Sequence, residues 1–319
     1  MATSGTYVFS VSRDDIIRQA LLNIRKLDEV ETPTPQETTD CARVLNMLVK
    51  QWQGRTDYAP GLKTWTRRRG YLFLNNNSGQ YTLGTSGTGW TNNFVLTNTV
   101  ATATTGATSI TLAVTTGVSV GDSIGVQLDS GALFWTTVLT VAGAVVGLTA
   151  SLPSQSSSGA VVYDYTLTAQ QPNVIESAIL RDSNYDDIPL RIMRTTQEYD
   201  MLPSKADVNY ISDPTAIYYE FQLQNSYLYT DVAAAYDVTK YIVLTYLEAI
   251  QDFNNPLDTP EYPQEWFLAL CWGLAKNIAP MYGAVWSPAM QDAYKEATAI
   301  ARNKGAEMSA LFFEPGVDP

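Results

Sequence analysis

The chain of 319 residues carries 32 acidic and 20 basic side chains, so its net charge is −12, and it contains no histidine. A chain this acidic is poorly suited to wrapping nucleic acid, because phosphate contacts come mainly from lysine and arginine. Without histidine it also lacks the commonest general base and metal ligand. Cys41 and Cys271 fall in apolar helical patterns, which predicts two buried, reduced thiols. We expect neither a signal peptide nor a membrane-spanning segment.

The N-terminal part of the chain predicts a helical hairpin. Ser12 precedes two aspartates and a run of apolar residues at a spacing of three and four, which favours a capped helix start. The sequence TPQE at 34–37 is a capping box with proline at the first helical position. The apolar stripe of this second helix ends at Trp52, and an acidic loop over 28–33 joins the two helices.

The composition changes sharply in the middle of the chain. No lysine or arginine occurs between Gly70 and Leu180, and threonine, serine, glycine and valine dominate. Short β-branched runs separated by glycines predict five strands. These strands lie at 109–116, 122–128, 133–141, 144–150 and 160–167. We therefore predict a compact β-domain at 80–167, and we expect the flanking segments to fold after its deletion, because the ends of an inserted domain usually lie close together.

Beyond this segment the signals are mixed before they become helical again. Residues 187–203 and 215–230 favour a few strands and one short helix, and 240–253 alternates like a strand. Pro263 then opens a third helix, and the pair SP at 287–288 opens a fourth.

The third helix carries a stripe of tryptophan and small residues. Such a stripe is more typical of a helix–helix contact than of a cofactor pocket. We assign helix packing to five residues of this helix and of the hairpin: Trp266, Leu270, Gly273, Leu274 and Trp52.

Together these elements predict an α+β fold. Its helical body, with four main helices plus a few strands, spans 1–79 and 168–319. An all-β barrel or sandwich at 80–167 is inserted into that body. The C-terminal tail at 306–319 is apolar in its middle, and exposed side chains there would be a liability unless they dock on a partner.

The search for chemistry finds little. Nucleophile-elbow and phosphate-loop patterns are absent from the sequence. Asp182, Asn184 and Asp186 have the spacing of a calcium loop, but Asp187 stands where that loop needs glycine and Met193 where it needs glutamate. We predict no catalytic residue, no cofactor and no metal.

Arg67, Arg68 and Arg69 form the densest basic group. Two interpretations stay open for them. They are either a salt-bridged start of a strand, or a contact with an acidic neighbouring subunit or with DNA.

Two segments resemble the head-to-tail adaptors of short-tailed bacteriophages, also called tail tubular protein A or packaged-DNA stabilisation proteins. One is the hairpin DDIIRQALLNIRKLDE with the capped helix that ends MLVKQWQG. The other is TKYIVLTYLEAIQDFNNPLDTPEYPQEWFLALCWGLAKNIAPMYG, whose helix follows a Pro-x-x-Trp pattern at Pro263 and Trp266. The resemblance covers 1–75 and 168–319.

The resemblance implies a structural virion protein that is not an enzyme. Such adaptors form a ring, usually a dodecamer, between the portal protein and the tail nozzle protein, at the head–tail junction of a virion assembled in the host cytoplasm. DNA passes through the channel without specific binding and is retained there after packaging. A C-terminal extension docks on the portal, a role that would fall to Leu311, Phe312 and Phe313. We expect the β-domain to dock tail fibres or the nozzle.

Two other functions stay open. The chain is alternatively a fibre or receptor-binding module whose β-domain binds a glycan. The less favoured alternative is a virion enzyme that degrades peptidoglycan with a carboxylate pair such as Glu261 and Glu265.

Overall fold

The computed structural model describes residues 9–56, 59–60, 64–76, 78–203, 205, 211–232, 234–235 and 237–304. The chain divides into two compact units. The helical unit is built from both ends of the chain, Met1–Thr66 and Ala249–Pro319, and the β unit is the continuous segment Arg67–Glu248.

Over the described residues the chain forms five α-helices and nineteen strands. The helices are α1 (Arg13–Asn23), α2 (Pro35–Gln53), α3 (Thr196–Asp200), α4 (Phe267–Ile278) and α5 (Pro288–Lys304). The strands are β1 (Arg55–Thr56), β2 (Ala59–Pro60), β3 (Arg67–Phe73), β4 (Gln80–Leu83), β5 (Trp90–Thr91), β6 (Val95–Asn98), β7 (Ser109–Thr111), β8 (Ser123–Gln127), β9 (Leu133–Ala142), β10 (Val145–Leu148), β11 (Val161–Tyr165), β12 (Val174–Arg181), β13 (Asp187–Pro189), β14 (Arg191–Met193), β15 (Ile211–Ser212), β16 (Ala216–Glu220), β17 (Ser226–Thr230), β18 (Ala234–Ala235) and β19 (Tyr241–Leu247).

Local capping sets the starts of the first two helices. The Ser12 hydroxyl accepts a hydrogen bond from the Asp15 backbone N–H, and the Asp15 carboxylate accepts one from the Ser12 N–H in return. Thr34 and Glu37 form the same reciprocal pair at the start of α2. Each box satisfies two backbone donors that a helix N-terminus otherwise leaves unpaired.

The helix α4 is the centre of the helical unit and packs against α1, α2 and α5. Pro263 caps a short 3₁₀ turn at Gln264–Trp266 that leads into it. A second 3₁₀ turn, Ala279–Tyr282, follows α4, and Gly283 closes it in the left-handed region at φ 65°. Most of the α4 side chains are buried, which explains why its sequence is apolar nearly all round.

A six-stranded antiparallel sheet forms one part of the β unit, in the order β6-β11-β8-β9-β10-β7. Its two edge strands meet at a bridge between Thr99 and Leu112, so the sheet curls on itself. The inner face holds a hydrophobic core that includes Ile124, Val126 and Val162, all fully buried. The five strands that the sequence predicts between 109 and 167 are strands of this sheet.

The β unit contains two further large sheets and a two-stranded parallel pair, β15-β18. A five-stranded sheet has the order β13-β12-β19-β3-β5, and a four-stranded sheet has the order β14-β16-β17-β4. Leu72, Ile217, Leu228 and Leu244 are fully buried in the core that these sheets share, together with Trp90. Gly70 lies under the Trp90 ring, since a Cβ at Gly70 would come within 2.0 Å of the indole.

An aromatic cluster joins the six-stranded sheet to the five-stranded sheet. Phe73 on β3 stacks on Tyr163 of β11, with ring centroids 4.1 Å apart. Tyr241, which pairs with Phe73 across β3 and β19, packs on the same rings. The curled sheet therefore shares a core with the strands that flank it in the sequence.

The predicted fold class is wrong. The chain is mostly β, and it is not a helical body of four main helices with a few strands. The four predicted helices exist, but residues 67–83 and 168–248 form the five- and four-stranded sheets, with α3 as their short helix. The pairing partners of these strands lie far away in the sequence, as for β4 and β17. The local sequence pattern therefore predicted too few strands. The predicted bounds at 80 and 167 fall inside the β unit.

Candidate functional site

The residues predicted for helix packing lie in the core of the helical unit. Trp52, Trp266, Leu270 and Leu274 are buried, and the two indole rings meet edge-on with centroids 5.7 Å apart. Gly273 faces the same ring, since a Cβ there would lie 2.8 Å from Trp52 Cζ2. Glycine at this position lets α2 and α4 approach closely, so the stripe forms a contact inside the unit.

Several large apolar side chains of the helical unit remain in contact with solvent. Each of them is more than half exposed. They are Phe9, Val30, Met47, Leu257, Leu268, Met281, Val285 and Ile300. Single exposed apolar residues are common on soluble proteins and need no explanation. The notable point is that four of these residues come from the α4–α5 segment, namely Leu268, Met281, Val285 and Ile300.

The arginines of β3 are placed in the β unit with carboxylates beside them. Arg67 Nε lies 2.6 Å from Glu176 Oε2, and Arg68 Nε lies 3.2 Å from Glu248 Oε2. Arg69 is exposed. The geometry therefore favours the salt-bridged strand start for the first two, because their charges are offset within the chain.

The predicted portal-docking residues Leu311, Phe312 and Phe313 lie outside the described residues. The helix that precedes them is α5, which is described to its end at Lys304.

The calcium-like spacing belongs to a closed turn. Asp182 Oδ1 accepts hydrogen bonds from the backbone N–H groups of Asn184 and Asp186. Asp187 forms a two-pronged ion pair with Arg181, which lowers the pKa of that carboxyl. Among the described residues there is no group of three or more histidine, cysteine, aspartate or glutamate side chains placed to hold a metal ion.

Both cysteines are buried free thiols. Burial raises the pKa of the Cys271 thiol to about 12 and also raises the pKa of Cys41, whose Sγ lies 3.7 Å from the Tyr282 hydroxyl. Both groups are therefore protonated and unreactive at neutral pH. In the described part of the chain, no helix has the length and apolar character that crossing a bilayer requires.

A buried carboxyl pair occurs inside the curled sheet, and the sequence analysis did not identify it. Asp164 is 1% exposed and lies two residues after Val162, so it shares the inner face of β11. Neither of its oxygens has a donor among the described residues. Burial raises the pKa of Asp164 to about 7, and the neighbouring charge of Asp122 adds to this. Asp122 itself accepts the backbone N–H of Ser119 at 2.7 Å.

A groove on the β unit is a second feature that the sequence analysis did not identify. Its volume is about 320 Å³, and its walls come from the β3–β5 region and from β9. Trp135 lines it beside Gln80, Ser86 and Thr88. Gln80 and Trp135 lie on strands of different sheets, so the spacing of these residues in the sequence carries no signal of a site.

The chain was compared with known proteins. No family model matches it, and the search of curated proteins found no match.

Proposed function

We propose that the chain is a structural virion protein that forms a ring between the portal and the tail nozzle. In this proposal the ring extends the DNA channel and helps to retain packaged DNA. The proposal draws on the resemblance of the N-terminal hairpin and of the α4 region to head-to-tail adaptors. The function lies in assembly, so catalysis is not required of the chain.

The observation that carries the proposal is the construction of the helical unit. Its central helix α4 is covered by α1, α2 and α5, and the last of these leads directly to the apolar tail at 306–319. The exposed Leu268 and Ile300 lie on α4 and α5 themselves. Exposed apolar side chains, with an apolar segment following α5 in the sequence, are what an assembling subunit needs, because buried anchors supply much of an interface's free energy.

The charge of the chain supports a passive channel. The net charge of −12 disfavours attachment of the phosphate backbone, which allows DNA to move through a ring without being held. The ion pairs of Arg67 and Arg68 act in the same direction, since paired guanidinium groups are less available to phosphate.

The test is negative-stain imaging of the purified protein, alone and mixed with the portal of the same virion. We expect a second ring to appear under the portal. Deletion of 306–319 should abolish docking, and so should Leu311→Ser combined with Phe312→Ser and Phe313→Ser. A matched control, Ser309→Ala, should dock normally.

Three outcomes would count against this proposal or a part of it. A folded, soluble protein that never joins the portal would contradict the ring. Normal docking of the truncated chain would contradict the tail assignment alone. Clearing of cell-wall material that one carboxylate-to-amide substitution abolishes would instead support an enzyme.

A further inference from the structure

The groove beside Trp135 has a rigid aromatic wall. A Cβ at Gly125 would lie 2.8 Å from the Trp135 ring, and one at Gly89 would lie 3.1 Å from it. Two glycines therefore let the indole lie against backbone. Tyr165 and Phe73 hold it from other sides, with centroids 5.4 and 5.6 Å away. Because the ring is only half-buried, a ligand can reach it. Because its neighbours hold it in place, a ligand can contact it without ordering it first.

The polar wall is held in place by backbone hydrogen bonds. The loop that carries Ser86 and Thr88 is anchored at Gly89, whose N–H donates to the Tyr165 hydroxyl at 3.0 Å. The Gly89 carbonyl also accepts the Phe73 N–H at 2.9 Å. The loop is therefore tied to the same aromatic cluster as Trp135.

The polar side chains of the groove have unused hydrogen-bonding capacity. Gln80, Ser86 and Thr88 are exposed, and within the described residues their side chains have no hydrogen-bond partner. The Trp135 indole N–H is unpartnered in the same sense. By contrast, the Tyr81 hydroxyl in the groove is occupied, since it donates to the Ser78 carbonyl at 2.7 Å. One amide and two hydroxyls thus line a single space together with the Trp135 indole.

The chemistry of the walls selects the class of ligand. None of the lining residues is charged, and no lysine or arginine occurs between Gly70 and Leu180, so a phosphate or an acidic sugar has no cation to pair with. A purely apolar ligand would leave the amide and the hydroxyls desolvated and unpaired. A neutral sugar ring satisfies both walls, because it presents C–H groups on one face and hydroxyls at its edge.

We propose that this groove binds a neutral carbohydrate, with a sugar ring packed on Trp135 and its hydroxyls bonded to Gln80, Ser86 and Thr88. The volume of about 320 Å³ is at the small end of the range for small-molecule sites, so the groove takes a short segment of a sugar chain. This site does not depend on ring formation, and its test uses the full chain without the portal.

To test this proposal, the tryptophan indoles are labelled with ¹⁵N and their N–H resonances are recorded by NMR. The chain has seven tryptophans. Trp135→Phe assigns the resonance of interest. The probes are neutral oligosaccharides of glucose, galactose, mannose, rhamnose and N-acetylhexosamines, with an oligogalacturonate as the acidic counterpart. We expect saturable movement of the Trp135 resonance with at least one neutral probe and none with the acidic one.

Substitutions of the lining residues test whether the sugar binds in this groove. Gln80→Ala should weaken binding about fivefold, the loss of one hydrogen bond, without affecting the fold, since this side chain is exposed and unpartnered. The matched control is Gln197→Ala, an exposed glutamine on α3, which should bind like the parent. The proposal is overturned if no neutral probe moves the Trp135 resonance, or if a proline-rich peptide moves it and no sugar does. It is also overturned if the triple variant Gln80→Ala, Ser86→Ala and Thr88→Ala binds the sugar as well as the parent.

Discussion

Gly273 lies where Trp52 leaves no room for a side chain, and this contact gives the first prediction. Gly273→Ala raises helix propensity by about 1 kcal/mol, but its Cβ would come 2.8 Å from Trp52 Cζ2. Overpacking of this kind costs about 1–3 kcal/mol, so we expect a net loss in the free energy of unfolding, measured by urea titration.

Two companion variants separate the contact from the helix itself. Asn277→Ala, an exposed position of the same helix, should be neutral or slightly stabilising. Adding Trp52→Phe to Gly273→Ala should restore part of the loss, and strict additivity of the two changes would argue against the contact.

At Asp164 the prediction concerns pH. The folded-state pKa is raised to about 7, above the ordinary value of 3.8, so the folded chain holds a proton that the unfolded chain releases. The stabilisation is fully present below pH 4 and is lost as the pH rises through about 7. We expect the free energy of unfolding of the β unit to fall by on the order of 3 kcal/mol between pH 4 and pH 8 from this group.

Asp164→Asn tests the sign of this effect. The amide cannot lose a proton, so this contribution to the pH dependence should disappear and the variant should gain stability at pH 8 relative to the parent. Asp186→Asn, an exposed carboxylate of the same unit, should leave the pH profile unchanged. A steep loss that persists in Asp164→Asn would place its origin elsewhere.

At the scale of elements, the capping box of α2 offers a quantitative test. The Thr34 hydroxyl accepts the Glu37 N–H, and hydrogen bonds from Thr34 lower the pKa of the Glu37 carboxyl. Thr34→Ala should destabilise the helical unit by about 1 kcal/mol in thermal unfolding. Thr32→Ala, two residues earlier in the exposed loop, should have almost no effect. Equal losses in both variants would mean that the cap does not set the stability of α2.

The contrast between helices and sheets explains what the sequence could predict. Helix starts depend on residues three apart, so the caps at Ser12 and Thr34 and the proline starts were readable. Strand pairing depends on distant partners, as for Tyr81 on β4 and Leu228 on β17. The strands at 109–167 were readable because glycines separate them at short intervals, whereas β4, β5 and β6 were not predicted. Strands outside that region lack such regular spacing, and the fold class was wrong for this reason.

The helix-packing residues and the groove also differ in how far the sequence predicts them. The helix-packing residues other than Trp52 recur at a spacing of three and four in one segment, 266–274, so their spacing predicts a buried stripe. The groove combines residues 80–88 with Trp135, and the buried pair combines Asp122 with Asp164. Only the folded β unit brings these partners together, and in the sequence each is an ordinary polar or aromatic residue.

For the whole molecule, the shared cores predict what deletion of 80–167 does. The deletion removes β4, β5 and the buried Trp90, and it uncovers Phe73 and Tyr241 by removing Tyr163. We therefore expect an insoluble product, in contrast to the sequence-based expectation that the flanking segments fold without it. Deletion of the whole β unit, 67–248, with a short glycine-serine link is the matched comparison, and it should leave a soluble helical protein. A well-folded product from the smaller deletion would show that these cores are not shared.

The ends of the β unit have a mechanical consequence. Arg67 and Leu247 face each other at one end of the β3–β19 ladder, so both covalent links of the unit leave from the same rung. A force that pulls these links apart loads the hydrogen bonds of that ladder one after another, as in opening a zipper, and never all at once. The β unit should therefore yield at low force when it is stretched by its own two ends, however stable it is to heat or denaturant.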